Sequence, residues 1–541
     1  MKWLSLCFCI SIPFVFAGHL KVVPAENLQI SVEQIQPIEL NEELECINTG
    51  ISTTPPWQLY RDPPWSTGIQ IPDVYNRSDS MLSMAVGPDG RIYVAYTAIW
   101  NASPARGGFG LASSTDAGLT WDNRVFYYNN TAFGEFDPEI TVTNDGKIWL
   151  WGTLNGGTYV NTPCWLRSSA TCYNNPDSLR GFLLFNIPYR FYGECVSWGN
   201  GNELVFMQYT VDRTGSNDSV FCVFSYDSTN WWVFTFRPPG GNPGMTSIGL
   251  DVSGTDTILV HGIEYFDATG NDWDVVFYLD TLNGSGNFYG WATANTLNDR
   301  YPSVYCTQGY AYIAIQSDVG SGNNDILFNY STDYGATWNG ALIDITNDAI
   351  NETYPRLHGF STTIGCNYIY DANTVRHNYS VWNGQDGTWQ PTPEIVTDNV
   401  SARSSYHATA LLWTPAYFHS VWEDTRNQGT DGIEIYASRR TAPIGVSESN
   451  VHRFGKLRLY PNPFKDKVTI GLSGGFVGKT LALSVYDLTG KLIANNSFVA
   501  NNSSIVWNAT DNYGRKLPAG IYVLRIDDGN RIVTQKAVML E

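Results

Sequence analysis

The pattern S-x-D-x-G-x-x-W occurs at residues 114–121, returns at 331–338, and has a worn copy at 225–232. The first copy is marked by Ser114, Asp116, Gly118 and Trp121, the last by Ser331, Asp333, Gly335 and Trp338. The middle copy keeps Ser225, Asp227 and Trp232, with Thr229 in place of the glycine. The three serines stand 111 and 106 residues apart. Recurrence at even steps means one supersecondary unit copied along the chain. Each copy follows a short apolar run and precedes another β-type run, so it is expected to be a hairpin turn. The Asp carboxylate can accept N–H groups of its own turn, the Gly supplies φ > 0, and the Trp covers the sheet edge below. These roles are structural, not catalytic.

Half the step is near 54 residues, so units lacking the motif should alternate with those that carry it. Pro88-Asp89-Gly90 and Asn144-Asp145-Gly146, each between alternating runs, read as such hairpins. Three-strand sets can be counted from about residues 81, 139, 196, 247, 303, 356 and 408. Short, evenly spaced strands suit a propeller, sandwich or barrel, and the period selects an all-β propeller. The expectation is seven blades, with six as the alternative. The seventh unit lacks a fourth strand before residue 440, and 57–71 are expected to supply it, joining last blade to first and hiding both edges.

The motif resembles the Asp-box (BNR repeat) of sialidase-type β-propellers. That resemblance implies the architecture far more than an activity, because sialidases of this kind have six blades. It also implies a site on the face opposite the boxes, where inner strands begin. Candidate ligand-binding residues there are Asp137, Glu194, Arg300, Tyr301, Tyr354, Arg356, Arg403, Tyr406 and His407. Arginine forks suit planar carboxylates, and three arginines at successive blade starts are similar to the sialidase arginine cluster. The N-terminal Arg-Ile-Pro signature of that family is replaced by Gln70-Ile71-Pro72. Glu194, Glu264 and Glu423 are the available carboxylates, and no catalytic residue can be assigned. A hydrolase would need Arg300, Arg356 or Arg403 to converge on a pocket with a Glu–Tyr pair.

Oxygen-rich loops between second and third strands recur at 212–218, 267–272, 318–325 and 423–431. Such loops can hold calcium or be ordinary turns. No cofactor is expected, calcium is the one option left open, and no cysteine metal site is indicated.

Residues 1–17 read as a secretory signal peptide, with an apolar run over 3–16 and cleavage near Ala17. Residues 18–56 form an N-terminal extension, 57–440 the propeller, 441–455 a polar linker and 456–541 a small Ig-like β-sandwich. No later stretch suits a membrane span. The net charge of −19 without a basic cluster argues against nucleic-acid binding. Export permits disulfides; Cys164–Cys172, Cys195–Cys222 and Cys306–Cys366 are the candidate pairs, with Cys46 left over.

The final segment carries Tyr460-Pro461-Asn462-Pro463-Phe464, Tyr486-Asp487-Leu488-Thr489-Gly490-Lys491, Leu517-Pro518-Ala519-Gly520-Ile521-Tyr522 and Lys536-Ala537-Val538-Met539. It resembles the C-terminal sorting domain of bacterial type IX secretion cargo. The resemblance implies the type IX machinery as partner and a product secreted or attached to the outer cell surface. The expected function is non-catalytic binding of a glycan or surface protein. An exo-acting glycoside hydrolase of the sialidase type and a structural surface protein or adhesin are the alternatives.

Overall fold

The computed structural model describes residues between 20 and 540, apart from 54–64, 129–136, 170–179, 182–192, 282–288, 442–457, 472–479 and shorter loop stretches. The signal-peptide reading, Cys172 and the 212–218 loop fall outside the described residues. The chain divides into two compact units, Met1–Gly445 and Val446–Glu541.

Among the described residues of the first unit, seven antiparallel sheets of four or five strands stand around a common axis. Their innermost strands are Arg77–Val86, Glu139–Val142, Gly193–Gly199, Asn242–Ser253, Asp299–Thr307, Glu352–Phe360 and Thr409–Trp413. Each lies beside the next, and the seventh lies beside the first, closing a propeller. The blades are numbered here in that order. The outermost strand of blade seven is Ile69–Gln70, which pairs with Glu434–Thr441. Trp65 bridges Arg440 in the same direction. The chain thus closes the ring from its N-terminal side.

A blade is covered on both faces by its neighbours, so its strands read as continuous apolar runs rather than alternating ones. Ser219–Ser225 of blade three is buried at every position. The core is a set of layers between blades. Ala85, Tyr93, Phe109, Ile140, Leu150 and Cys164 fill the first such layer. Between blades two and three, Trp149, Trp151, Trp165 and Trp231 pack ring against ring at 4.9–6.5 Å. Gly110 lets the Tyr96 ring lie against the sheet, since a Cβ there would fall 2.1 Å from the ring.

The repeated motif builds its turns as expected. Asp116 accepts hydrogen bonds from Leu119 N (3.1 Å), Thr120 N (2.9 Å) and Thr120 Oγ1 (2.6 Å). Ser114 Oγ accepts from Gly118 N at 2.8 Å, while Trp121 is buried below. In the last copy Ser331 Oγ accepts from Gly335 N, and Asp333 accepts from Thr337 N and Thr337 Oγ1. Asp227 accepts from Thr229 N and Asn230 N, so the worn copy still closes. A fourth turn of this kind escapes the sequence pattern. In blade six, Ser380 Oγ accepts from Gly384 N at 2.9 Å, Asn383 and Gly384 have φ of 51° and 75°, and Trp389 is buried beneath. Trp382 occupies the place of the Asp, which is why the pattern misses it.

The segment expected to be a plain extension supplies edge strands. Leu20–Val23, Gln29–Ile35, Ile38–Glu39 and Leu44–Thr53 become the fifth strands of blades four, three, two and one respectively.

The disulfide expectations require correction. Cys164, Cys195, Cys222, Cys306 and Cys366 are buried, unpaired thiols. Cys195 and Cys222 point into different inter-blade layers, one with Trp149 and Trp231, the other with Phe206 and Leu259. Cys306 and Cys366 are likewise separated, beside Ile313 and beside Tyr368. Side chains on opposite faces of a sheet cannot meet.

In the second unit, Arg458–Tyr460, Val468–Gly471 and Ser504–Trp507 form one sheet. Thr480–Tyr486, Leu492–Val499, Gly520–Asp527 and Ile532–Met539 form another. Phe464, Val468, Ile470, Val485, Trp507 and Leu524 share the core. The two most distinctive motifs hold each other: Phe464 N donates to Val538 O, Leu540 N to Phe464 O, and Val538 N to Asn462 Oδ1.

Candidate functional site

Four blades begin with a non-glycine residue in the left-handed region: Met81, Tyr301, Tyr354 and His407, with φ between 54° and 64°. In three of them the pairing register of the inner strand shifts there, between Ser80 and Ser83, Arg300 and Ser303, and Thr353 and Arg356. Each such residue costs on the order of 1–3 kcal/mol, and such strain concentrates at functional sites. The preceding blade holds three of the four in place. Glu423 Oε1 accepts Met81 N at 2.7 Å, Glu264 Oε1 accepts Tyr301 N at 2.6 Å, and Gln316 Oε1 accepts Tyr354 N at 3.3 Å. Glu264 and Glu423 therefore fasten blade to blade. A serine ladder does the same one step further in. Ser83, Ser247 and Ser303 accept from Ile140 N, Val304 N and Leu357 N of the following blade, at offsets of 57, 57 and 54 residues.

The axis itself is crossed by polar contacts between blades far apart in sequence. Arg356 Nη1 of blade six pairs with Glu194 Oε1 of blade three at 3.2 Å. The Arg356 guanidinium lies 4.3 Å from the Tyr406 ring centroid, and Tyr406 Oη donates to Thr246 O of blade four at 3.4 Å. His407 Nδ1 stands 2.9 Å from Asp137 Oδ1 and 3.1 Å from Glu139 Oε1 of blade two. Ser83 Oγ donates to the other oxygen of Glu139 at 2.7 Å. Asp137, Glu139, Arg356, Tyr406 and His407 are all buried.

Burial governs the electrostatics. It pushes Glu139 up to about 7, against the opposing pull of His407. It raises Glu194 too, against the attraction of Arg356. Burial alone would lower His407, but the Asp137 carboxylate lifts it to about 9. The donor atoms of Asp137, Glu139 and His407 lie within 4.8 Å of one another. With the imidazole protonated, this trio already contains its own cation and is best described as an ion triplet.

Nearer solvent is an aromatic group. Tyr301 and Tyr354 meet edge to face at 4.7 Å, and Tyr406 lies 5.6 Å and 6.4 Å from them. The Arg300 guanidinium sits 4.5 Å from the Trp273 ring centroid and 4.8 Å from that of Tyr301. Arg300, Tyr301, Tyr354 and Trp273 are partly exposed.

The nine residues singled out from sequence therefore fall into three places. Asp137, Glu194, Arg356, Tyr406 and His407 plug the axis. Tyr301 and Tyr354 line its mouth in contact with Tyr406, and Arg300 lies against Tyr301. Arg403 stands apart, paired with Glu423 at 2.9 Å. Arg300, Arg356 and Arg403 are each paired with a different glutamate, Glu264, Glu194 and Glu423, and Arg356 meets Glu194 and Tyr406 together. Glu139, Thr246 and Trp273 were missed. The serine offsets are the signal that would have aligned the inner strands and exposed Glu139 as the neighbour of Ile140.

Residues 458–540 match the family described as Secretion system C-terminal sorting domain. The chain thus carries the sorting signal of an exported protein, and no helix among its described residues is long and apolar enough to cross a membrane. No curated protein matches its sequence. Among solved structures it is similar to a protein of unknown function from Dyadobacter fermentans, at 12% identity and a TM-score of 0.41, covering 70% of this chain and 100% of that one. It is similar to the NanB sialidase of Streptococcus pneumoniae at 13% identity and 0.38, covering 71% of each chain. It is also similar to the Aleuria aurantia lectin at 10% identity and 0.37, covering 59% of this chain and 99% of that one.

Proposed function

We propose that the protein is a type IX secretion cargo whose propeller binds a glycan at the mouth of its axis without hydrolysing it. The observation that carries this reading is the partly exposed group of Tyr301, Tyr354, Trp273 and Arg300. Aromatic faces with a polar tip suit the C–H faces and hydroxyls of a sugar. The absence of hydrolysis is inferred from the commitments of the charged groups. Glu194, Glu264 and Glu423 each accept from an arginine and from a backbone N–H, and Glu139 is tied to His407 and Ser83. A sialidase-type hydrolase needs a Glu–Tyr pair beside an arginine; Glu194, Tyr406 and Arg356 form such a group, but Arg356 and Tyr406 are buried.

The test is a glycan array and calorimetry with the mature protein, alongside hydrolysis of a fluorogenic sialoside and a small glycoside panel. Binding weakened at least about tenfold by Tyr301→Ala or Trp273→Ala, with unchanged melting, supports the reading. Turnover above a heat-killed control, or no glycan bound, overturns it.

A further inference from the structure

Between blades four and five, on the same face but outside the axis, four carboxylates gather. Asp267 ends the second strand of blade four, Asp272 and Asp274 begin its third, and Asp299 begins the inner strand of blade five. One oxygen from each of Asp267, Asp272 and Asp274 lies within 4.8 Å of the others. Two oxygens on one calcium ion at about 2.4 Å can be no further apart than this. None of the four aspartates joins an ion pair among the described residues.

A second observation points to a ligand. Asp272 is 5% exposed, yet its Oδ1 is buried with no hydrogen-bond partner. The donors present serve other oxygens: Thr269 N to Asp267, Thr293 Oγ1 and Tyr265 Oη to Asp274, and Asn295 Nδ2 to Asp299 Oδ2. Leaving a buried carboxylate oxygen unmatched is costly.

The same chain shows the alternative solution elsewhere. Between blades six and seven, Asp398 and Asp424 also lie side by side, and there Arg426 bridges them at 2.5 Å and 2.7 Å. Blade four has no residue in that role.

We propose that Asp267, Asp272 and Asp274, backed by Asp299, bind one divalent cation of the calcium type, which closes the blade-four loop against blade five. All donors are hard oxygens, the set that calcium prefers.

Trp273 lies between two of the ligands and provides the readout. The mature full-length protein, stripped with chelator, is titrated with Tb3+ under tryptophan excitation and then with CaCl2. Sensitised emission that saturates and is displaced by Ca2+ is expected, together with a Ca2+-dependent rise in Tm. Asp274→Asn should weaken binding at least about tenfold, and in chelator it should melt above wild type because a repelling charge is gone. Asp272→Asn serves if that variant does not fold, and Asp344→Asn in blade five is the control that keeps the response. No Ca2+-dependent change in wild-type emission or Tm overturns the proposal. So does a response retained in both Asp274→Asn and Asp272→Asn.

Discussion

Arg356→Met tests whether the axis is held by one ion pair reaching from blade six to blade three. Methionine keeps an apolar stem but removes a guanidinium 3.2 Å from Glu194 and 4.3 Å from the Tyr406 ring. Removing one partner of a buried pair costs about 3–5 kcal/mol, and the lost ring contact adds about 1 kcal/mol. Two things reduce the loss. Glu194 keeps the donors Ser247 Oγ at 2.5 Å and Ile248 N at 3.2 Å, and it can take up a proton. The expected net loss is about 3 kcal/mol at pH 7.

Its pH dependence has a definite sign. Burial already raises Glu194, and Arg356 is the strongest of the groups that lower it. Without the arginine the folded-state value climbs further. A carboxyl group whose folded value exceeds its unfolded value loses stability as pH rises. The variant should therefore be more damaged at pH 8 than at pH 5. The assay is urea unfolding of the full chain at both pH values by tryptophan fluorescence, in a double-mutant cycle with Glu194→Gln. A coupling above about 1 kcal/mol is expected. A variant within about 0.5 kcal/mol of wild type at both pH values, or an additive cycle, refutes the reasoning.

Gly110→Ala places a methyl 2.1 Å from the Tyr96 ring and should lower stability by about 1–3 kcal/mol in the same assay. Asp116→Ala, which deprives Leu119 N, Thr120 N and Thr120 Oγ1 of their acceptor, should cost about 1–2 kcal/mol. Wild-type stability should fall between pH 6.5 and 9. The raised His407 contributes fully below its unfolded value and loses that contribution as pH passes about 9. His407→Gln should flatten this slope, which corresponds to a change of about 3 kcal/mol.

The turns and the blade cores were legible because both leave local marks. An Asx turn needs its own Ser, Asp and Gly, and a strand covered on both faces needs an unbroken apolar run such as Val220-Phe221-Cys222-Val223-Phe224. The axis was half legible. Arg356 and Glu194 could be placed at inner-strand starts, but their meeting depends on closure of the ring, which brings together residues 162 positions apart. Ile38–Glu39 could not be read at all, because a two-residue edge strand is made by backbone pairing and leaves no side-chain period. The cysteines misled because nearness in sequence says nothing about which face of a sheet a thiol points to.

The four N-terminal strands visit blades four, three, two and one, so the chain travels round the ring in one sense before building it in the other. Each visit caps an outer edge that would otherwise offer unpaired N–H and C=O groups to another chain. Blades five and six, at four strands, receive no such cover among the described residues. The perimeter is thus two-sided: an arc sealed against strand addition, and an arc whose edges Ile343–Asp344 and Glu394–Ile395 are short enough to give little purchase. The strap also sets an order of assembly. Its first strand, Leu20–Val23, has no partner until Tyr289–Thr293 has been made, so the leading end of the chain cannot finish folding before blade four exists.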